Sequence, residues 1–248
     1  MRGDILKKKL MVLCAVAIMI STCLTGCKMS SGKIRFGSAG IGGTYQIFGD
    51  TFANLISSKS KKYNIEVKTT AGSAANLRLL SKDYIQMAVA QMDLINDAYN
   101  RTGIFENDKK YQGYRAVASL YTEACQIVIP ADSDIQSVDD LEGKKVCIGE
   151  EESGTEQNAL QILNAYGLNE KLVDTVNLNY TDAAKKLKSG DIDAFFCTAG
   201  VQTTVINELS KQCKIRLISL DQKGISRLKK SYKFYTEYTI PAGTYVNQ

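Results

Sequence analysis

One feature constrains this chain more than any other, and it is an alternation. From Lys33 onward, the short apolar runs IRFG, IEVKTT, IQMAVAQ, QIVIP, KKVCIG, DAFFC and IRLIS take turns with stretches of helical period. The runs are rich in β-branched and aromatic residues and read as strands. After the first of them, Tyr45, Phe48, Phe52, Leu55 and Ile56 fall on one face of a helix. After SGTE, the residues Ala159, Leu160, Leu163 and Tyr166 repeat that spacing, and Gly167 is placed to close the helix as a left-handed cap. TDAAKKLKSG has the same form, with a polar cap expected at Thr181 or Asp182 and Gly190 at its end. Strand alternating with helix predicts an α/β fold, a parallel or mixed sheet with helices on its faces.

The chain has 248 residues, enough for two small α/β lobes. A boundary is expected within RAVASLYTEACQIVIPADSDIQSVDDLEGKKV. A strand-like crossing at Ala116–Ile129 leads there into Pro130 and a polar linker. FYTEYTIPAGTYV, Phe234–Val246, reads as a returning crossing. The expected organisation is a leader over 1–27, a tether over 28–32, lobe I over 33–120 with 235–248 returning to it, and lobe II over 121–234. Two lobes joined by crossing strands make a hinged binding protein.

Charge locates the chain in the cell. Of the formal net charge of +5, the first 27 residues hold Arg2, Lys7, Lys8 and Lys9 against Asp4 alone, a net of +3. The remainder has 27 basic and 25 acidic side chains, which gives no electrostatic case for nucleic acid. The basic start leads into LMVLCAVAIMISTCL, which is short for a membrane-spanning helix and reads as an export signal. It ends in LTGC, which resembles a bacterial lipobox with Cys27 as the lipidated residue. The domain is therefore expected outside the cytoplasm, held at a membrane. Cys125, Cys147, Cys197 and Cys213 have no C-x-x-C spacing, and the chain has no histidine, which argues against zinc. Cys125 and Cys147 sit in apolar strand patterns and read as buried free thiols. A Cys197–Cys213 disulfide stays open in an exported protein.

Four strand-to-helix turns share one design: GSAGIGGT, TTAGSAANL, GEEESGTEQ and CTAGVQTT. Each places Gly, Ser or Thr at the carboxyl end of a strand and opens a helix. Ligands of open α/β sheets bind outside those strand ends. Small residues let a ligand approach the backbone, and each helix start offers unpaired N–H groups with partial positive charge. Several such ends aimed at one cleft would hold an anion without an arginine. SGTE also fits a capping box, which needs no ligand.

The series GSAGIGGTYQIFG, TTAGSAANLRLL, MAVAQMD, DLEGKKVCIGEEESGTE, LKSGDIDAFFCTAG and YTIPAGTY resembles the TAXI family, the extracytoplasmic solute-binding subunits of TRAP transporters. The resemblance spans Lys33 to about Tyr245 and implies a two-lobed, class II periplasmic-binding-protein fold. Such a protein closes on a small carboxylate, glutamate or a dicarboxylate, and passes it to a membrane permease driven by an ion gradient. Carried over position by position, the ligand-binding residues are Gly42, Gly43, Thr44 and Tyr45 of the first turn, and Ser73 and Asn76 of the second. Gln91 at the end of MAVAQ would reach the cleft floor. Ser153, Gly154 and Thr155 would come from lobe II, with Gly200 beside them; Tyr45 reads equally as core packing. Two departures stand out. The fourth turn is AGVQ where the family tends to have proline after the glycine. Family members also run on for several tens of mostly helical residues past the position of Gln248, so apolar sheet surface of lobe I is expected to lie uncovered.

Enzyme readings lack parts. GSAGIGGT places Gly43 where a phosphate loop needs lysine, and Tyr45 stands where a dinucleotide fingerprint needs its third glycine. GxSxG is absent. The acidic pairs Asp139/Asp140 and Glu150–Glu152 read as solvated or dipole-stabilising residues. The sequence thus points to a monomeric, lipid-anchored receptor with no cofactor and no metal. Its partners would be an anionic solute, a TRAP-type permease and the membrane. The alternatives are the receptor of an ABC importer and a surface sensor without transport.

Overall fold

The computed structural model describes residues 32–248 except 110 and 112. The expected leader, the tether and the lipidated Cys27 lie outside the described residues. Fifteen regular elements follow the anticipated alternation: β1 Gly32–Gly37, α1 Thr44–Lys59, β2 Tyr63–Lys68, α2 Ser73–Ser81, β3 Met87–Ala88, α3 Met92–Asn100, β4 Ala124–Pro130, β5 Lys145–Cys147, α4 Gly154–Ala165, β6 Asp174–Val176, α5 Tyr180–Ser189, β7 Ala194–Ala199, α6 Thr204–Gln212, β8 Ile215–Leu217 and α7 Gln222–Ser231. Strand β6, only three residues long, has too short an apolar run to be read from sequence.

The first lobe is built on a parallel three-stranded sheet of order β2-β1-β3. Helix α1 packs on it through Phe48 and Phe52, whose rings lie 6.1 and 5.9 Å from that of Phe36. Gly49 stands where a side chain would meet Val67 and Phe36, so the helix comes down close on the strands there. Leu55, expected on this stripe, points outward and is exposed. Helices α2 and α3 share a separate small core of Ala74, Leu77, Leu94, Ala98, Phe105 and Tyr111.

The second lobe carries a mixed sheet of order β6-β5-β7-β4-β8, with β4 antiparallel to both neighbours. Every residue of β7 is buried, as a strand covered on both faces requires. Alternate residues feed two cores. Ile127, Ile129 and Phe196 join Ile162, Leu163 and Leu228 of α4 and α7 on one side. Val128, Phe195 and Cys197 join Leu187, Ile206 and Leu209 of α5 and α6 on the other.

Helix ends follow local chemistry. Gly167, at φ +80°, closes α4, where Gly167 N–H donates to the Asn164 carbonyl and Leu168 N–H to that of Leu163. Gly190 ends α5 in the same left-handed conformation. The cap of α5 differs from expectation: Asn179, not Thr181 or Asp182, accepts from Asp182 N–H, because the helix begins two or three residues earlier than expected, at Tyr180. Cys197 and Cys213 are both free, one inside the sheet and one at the end of α6, so the open disulfide is not formed.

The expected crossings are less regular than their sequences suggest. The first becomes a ladder strand only at Ala124; residues 116–123 pass between lobes as mostly exposed chain without sheet partners. Phe234–Val246 joins no ladder either. Pro241 lacks an N–H to donate, and a turn closes at Pro241–Thr244. The end of the tail stays with the second lobe rather than returning to the first. Tyr245 is buried in the lobe II core, and the Asn247 carbonyl accepts from Ile215 N–H. Between the first lobe and the segments 113–123 and 234–240 runs a groove of about 1980 Å3, walled in part by Phe36, Phe48, Phe52, Leu77 and Ile85. Among the described residues, no helix is long and apolar enough to cross a membrane.

Candidate functional site

Turns from both lobes meet around one small cavity of about 40 Å3. The first lobe supplies Gly43, Thr44 and Tyr45 at the start of α1, Ser73 at the start of α2, and Gln91 just before α3. The second supplies Ser153, Gly154 and Thr155 at the start of α4, with Tyr180, Thr198 and Ala199 behind them. Eight of the eleven residues expected to bind ligand therefore lie on this wall.

Three do not. Gly42 turns away toward Thr181 and Val205 across the lobe boundary. Gly200 stands beyond Ala199, next to Thr44 and Tyr121. Asn76 is fully buried and serves the fold: its Nδ2 donates to the carbonyls of Ser38 (2.7 Å) and Val89 (2.9 Å), while Oδ1 accepts from Thr70 (2.8 Å). The asparagine of GSAAN ties strand ends together instead of reaching the solute.

The residues that do line the cavity divide their work. Ser153 caps α4, its hydroxyl accepting from Glu156 N–H at 3.0 Å. The return contact of the capping box falls one residue early, with Glu156 Oε2 accepting from Glu152 N–H. With the hydroxyl so used, the N–H groups of Gly154 and Thr155 open the helix without intrahelical acceptors. Thr155 belongs to a closed ring of hydrogen bonds. Its hydroxyl donates to Tyr180, Tyr180 donates to the Thr198 carbonyl at 2.9 Å, and Thr198 N–H donates back to Thr155 at 3.3 Å. The ring binds α4 and α5 to β7 behind the site. Tyr45 is buried and also lines the cavity.

Two carboxylates on the wall escaped the sequence reading. Glu123, from the segment crossing between lobes, accepts from the Tyr45 hydroxyl at 3.0 Å. Burial raises its pKa to about 7, against hydrogen bonds from Tyr45 and Gln91 that lower it. Glu150, expected to be solvated, forms part of the wall, and its pKa is raised by burial and by Asp182. A Cβ at Gly40 would meet the tip of that carboxylate, which would have to swing aside. Glu123 stands in an ordinary-looking stretch, LYTEAC, and only its position before a crossing strand could have marked it.

The lobes are shut on each other. Ala75 N–H donates to the Glu152 carbonyl at 3.1 Å, and Gln91 Nε2 donates to Asn158 at 3.0 Å. Thr181 donates to the Ile41 carbonyl at 3.2 Å, and Arg78 pairs with Glu152 at 3.0 Å. Two glycines permit this closeness. Gly154 leaves room for the Gln91 amide, and Gly72 lies against the Ser153 backbone.

Two α/β lobes with strand-end turns converging on an inter-lobe cavity define a periplasmic-binding-protein-like fold, and solved structures agree. A Bordetella bronchiseptica RB50 protein matches with a TM-score of 0.56 at 19% identity, over 80% of this chain and 59% of that one. The binding protein of an ABC phosphonate transporter from Pseudomonas aeruginosa matches at 0.54 and 14%, over 86% of this chain and 76% of that one. The alkanesulfonate-binding protein SsuA of Xanthomonas axonopodis pv. citri, bound to MOPS, matches at 0.51 and 17%, over 76% and 60%. The chain thus spans about 60% of the length of the Xanthomonas protein. It belongs to the NMT1-like family, whose model matches residues 36–248.

Proposed function

We propose that this chain is an extracytoplasmic solute-binding receptor that closes its two lobes on a small carboxylate and delivers it to a membrane permease. The carrying observation is the convergence of helix starts from both lobes, α1 and α4, on one cavity. Unpaired N–H groups and the positive ends of two helices suit a carboxylate. Bridging contacts such as Gln91–Asn158 favour the closed state by themselves, and a solute that touches both walls adds the ligand-dependent part. We assign the transporter to the TRAP type on the resemblance of its turns to TAXI subunits, with the chain held to the membrane by lipid on Cys27. The likeness to a phosphonate-transporter binding protein supports the second reading, an ABC importer. No step of catalysis is assigned to the site.

A thermal-shift series with dicarboxylates, amino acids and Mg-ATP tests this. A solute at about 100 times its dissociation constant adds about 2.7 kcal/mol. For a chain of this length that raises the melting temperature by about 5–10 °C. A response to Mg-ATP alone would overturn the reading. Uptake reconstituted with an ion-gradient permease, or with an ATP-driven one, separates the two transporter types.

A further inference from the structure

We propose that Glu123 receives a protonated amine of the solute, so that the cleft selects carboxylates that also carry an ammonium group. This rests on the receptor reading above and narrows it. Among the described residues, the cavity wall holds two carboxylates, Glu123 and Glu150, and no lysine or arginine. Helix starts can balance one anionic group of the solute. A second solute carboxylate would then face Glu123 or Glu150 at close range with no cation to offset it. An ammonium there meets an acceptor instead. A carboxylate offers about four lone-pair sites; Tyr45 occupies one on Glu123 Oε2, and Gln91 and Tyr121 also approach the group, which leaves room for a single N–H of the guest.

The tyrosines and cysteines around Glu123 gain no charge across neutral pH. The groups facing Glu123 are Tyr45 from α1, Asp93 from α3, Tyr121 from its own segment, Tyr180 from α5, Cys125 from β4 and Cys197 from β7. Burial raises the tyrosines and cysteines further from neutrality, so they stay uncharged. Burial also raises Asp93, and Glu150 across the cavity. Glu123 titrates near 7 in the empty site and must be ionised to hold an ammonium.

Titration calorimetry on the purified full chain tests this with matched pairs: L-glutamate against glutarate, and L-alanine against propionate. Amine-bearing members are expected to bind about 10–100-fold more tightly. From pH 6 to 8 their affinity should rise about tenfold while that of the amine-free members falls, because ionised Glu123 attracts the first and repels the second. Glu123→Gln should abolish both the preference and the opposed slopes. Equal affinity within each pair, or parallel pH slopes, would overturn the assignment of Glu123 and leave the receptor reading intact. Neither comparison needs the variant to fold. Binding of no member of either pair would overturn the receptor reading together with this inference.

Discussion

At the scale of single residues, Glu123 decides most about how this molecule responds to its surroundings. Its carboxyl titrates near 7 when folded, against an ordinary value of 4.5, mainly because burial penalises the charge. The folded state therefore binds more protons than the unfolded one between about 4.5 and 7. Its stabilising effect is complete below the lower value and is lost as pH rises through the upper one. Without ligand, the protein should lose about 3 kcal/mol from this group between pH 4.5 and 7. Urea denaturation at stepped pH measures it. Glu123→Gln should flatten that part of the profile, and an unchanged slope would mean the group is better solvated than its position indicates. Little of this is visible in LYTEAC itself. A carboxylate in a polar stretch reads as surface, and only the closing of two lobes over it makes it otherwise.

At the scale of elements, Asn76 shows how a motif residue can be recruited for architecture. One amide holds carbonyls from the turn after β1 and from the end of β3, together with the Thr70 hydroxyl after β2. The three strand ends that present the first-lobe turns are fixed by one side chain. Asn76→Ala leaves the Val89 carbonyl without this donor, while the Ser38 carbonyl keeps the Thr70 hydroxyl at 3.0 Å, and should cost about 1–3 kcal/mol, read as a lower denaturation midpoint. A fall in ligand affinity without loss of stability would return Asn76 to the binding set. Both lobes' strand–helix order was legible because apolar runs and helical period alternate cleanly. The eight cavity residues were legible through the resemblance of the turns that carry them, most of them glycine or hydroxyl residues at strand ends. The reach of Asn76, the start of α5 at Tyr180 and the short β6 were not. The first and last depend on contacts distant in sequence, which no local spacing records; the start of α5 is set locally, by Asn179 accepting from Asp182 N–H.

At the scale of the whole molecule, closure rests on small residues at the meeting surfaces. Gly154 is the clearest case, since a Cβ there would overlap the Gln91 amide that bridges to Asn158. Gly154→Val should push Gln91 aside and keep the lobes apart. Small-angle scattering would then show no contraction on adding a solute that the parent binds, and affinity should drop about tenfold or more. Contraction equal to the parent's would show that Gln91 can swing clear without cost. The expected path of the tail was the largest misreading of the sequence. YTIPAGTY resembles a crossing, but Tyr245 is claimed by the second lobe, where its hydroxyl donates to Gln126 at 2.5 Å and accepts from Gln202 N–H at 3.1 Å.

Residues 116–123 pass between the halves as mostly exposed chain without sheet partners, and the last of them, Glu123, stands in the cavity wall. A joint whose final residue touches the guest cannot turn without carrying that residue along. The angle between the halves and the place of the acidic group are then set by the same few backbone bonds, so a change in this strap should alter reach and grip together.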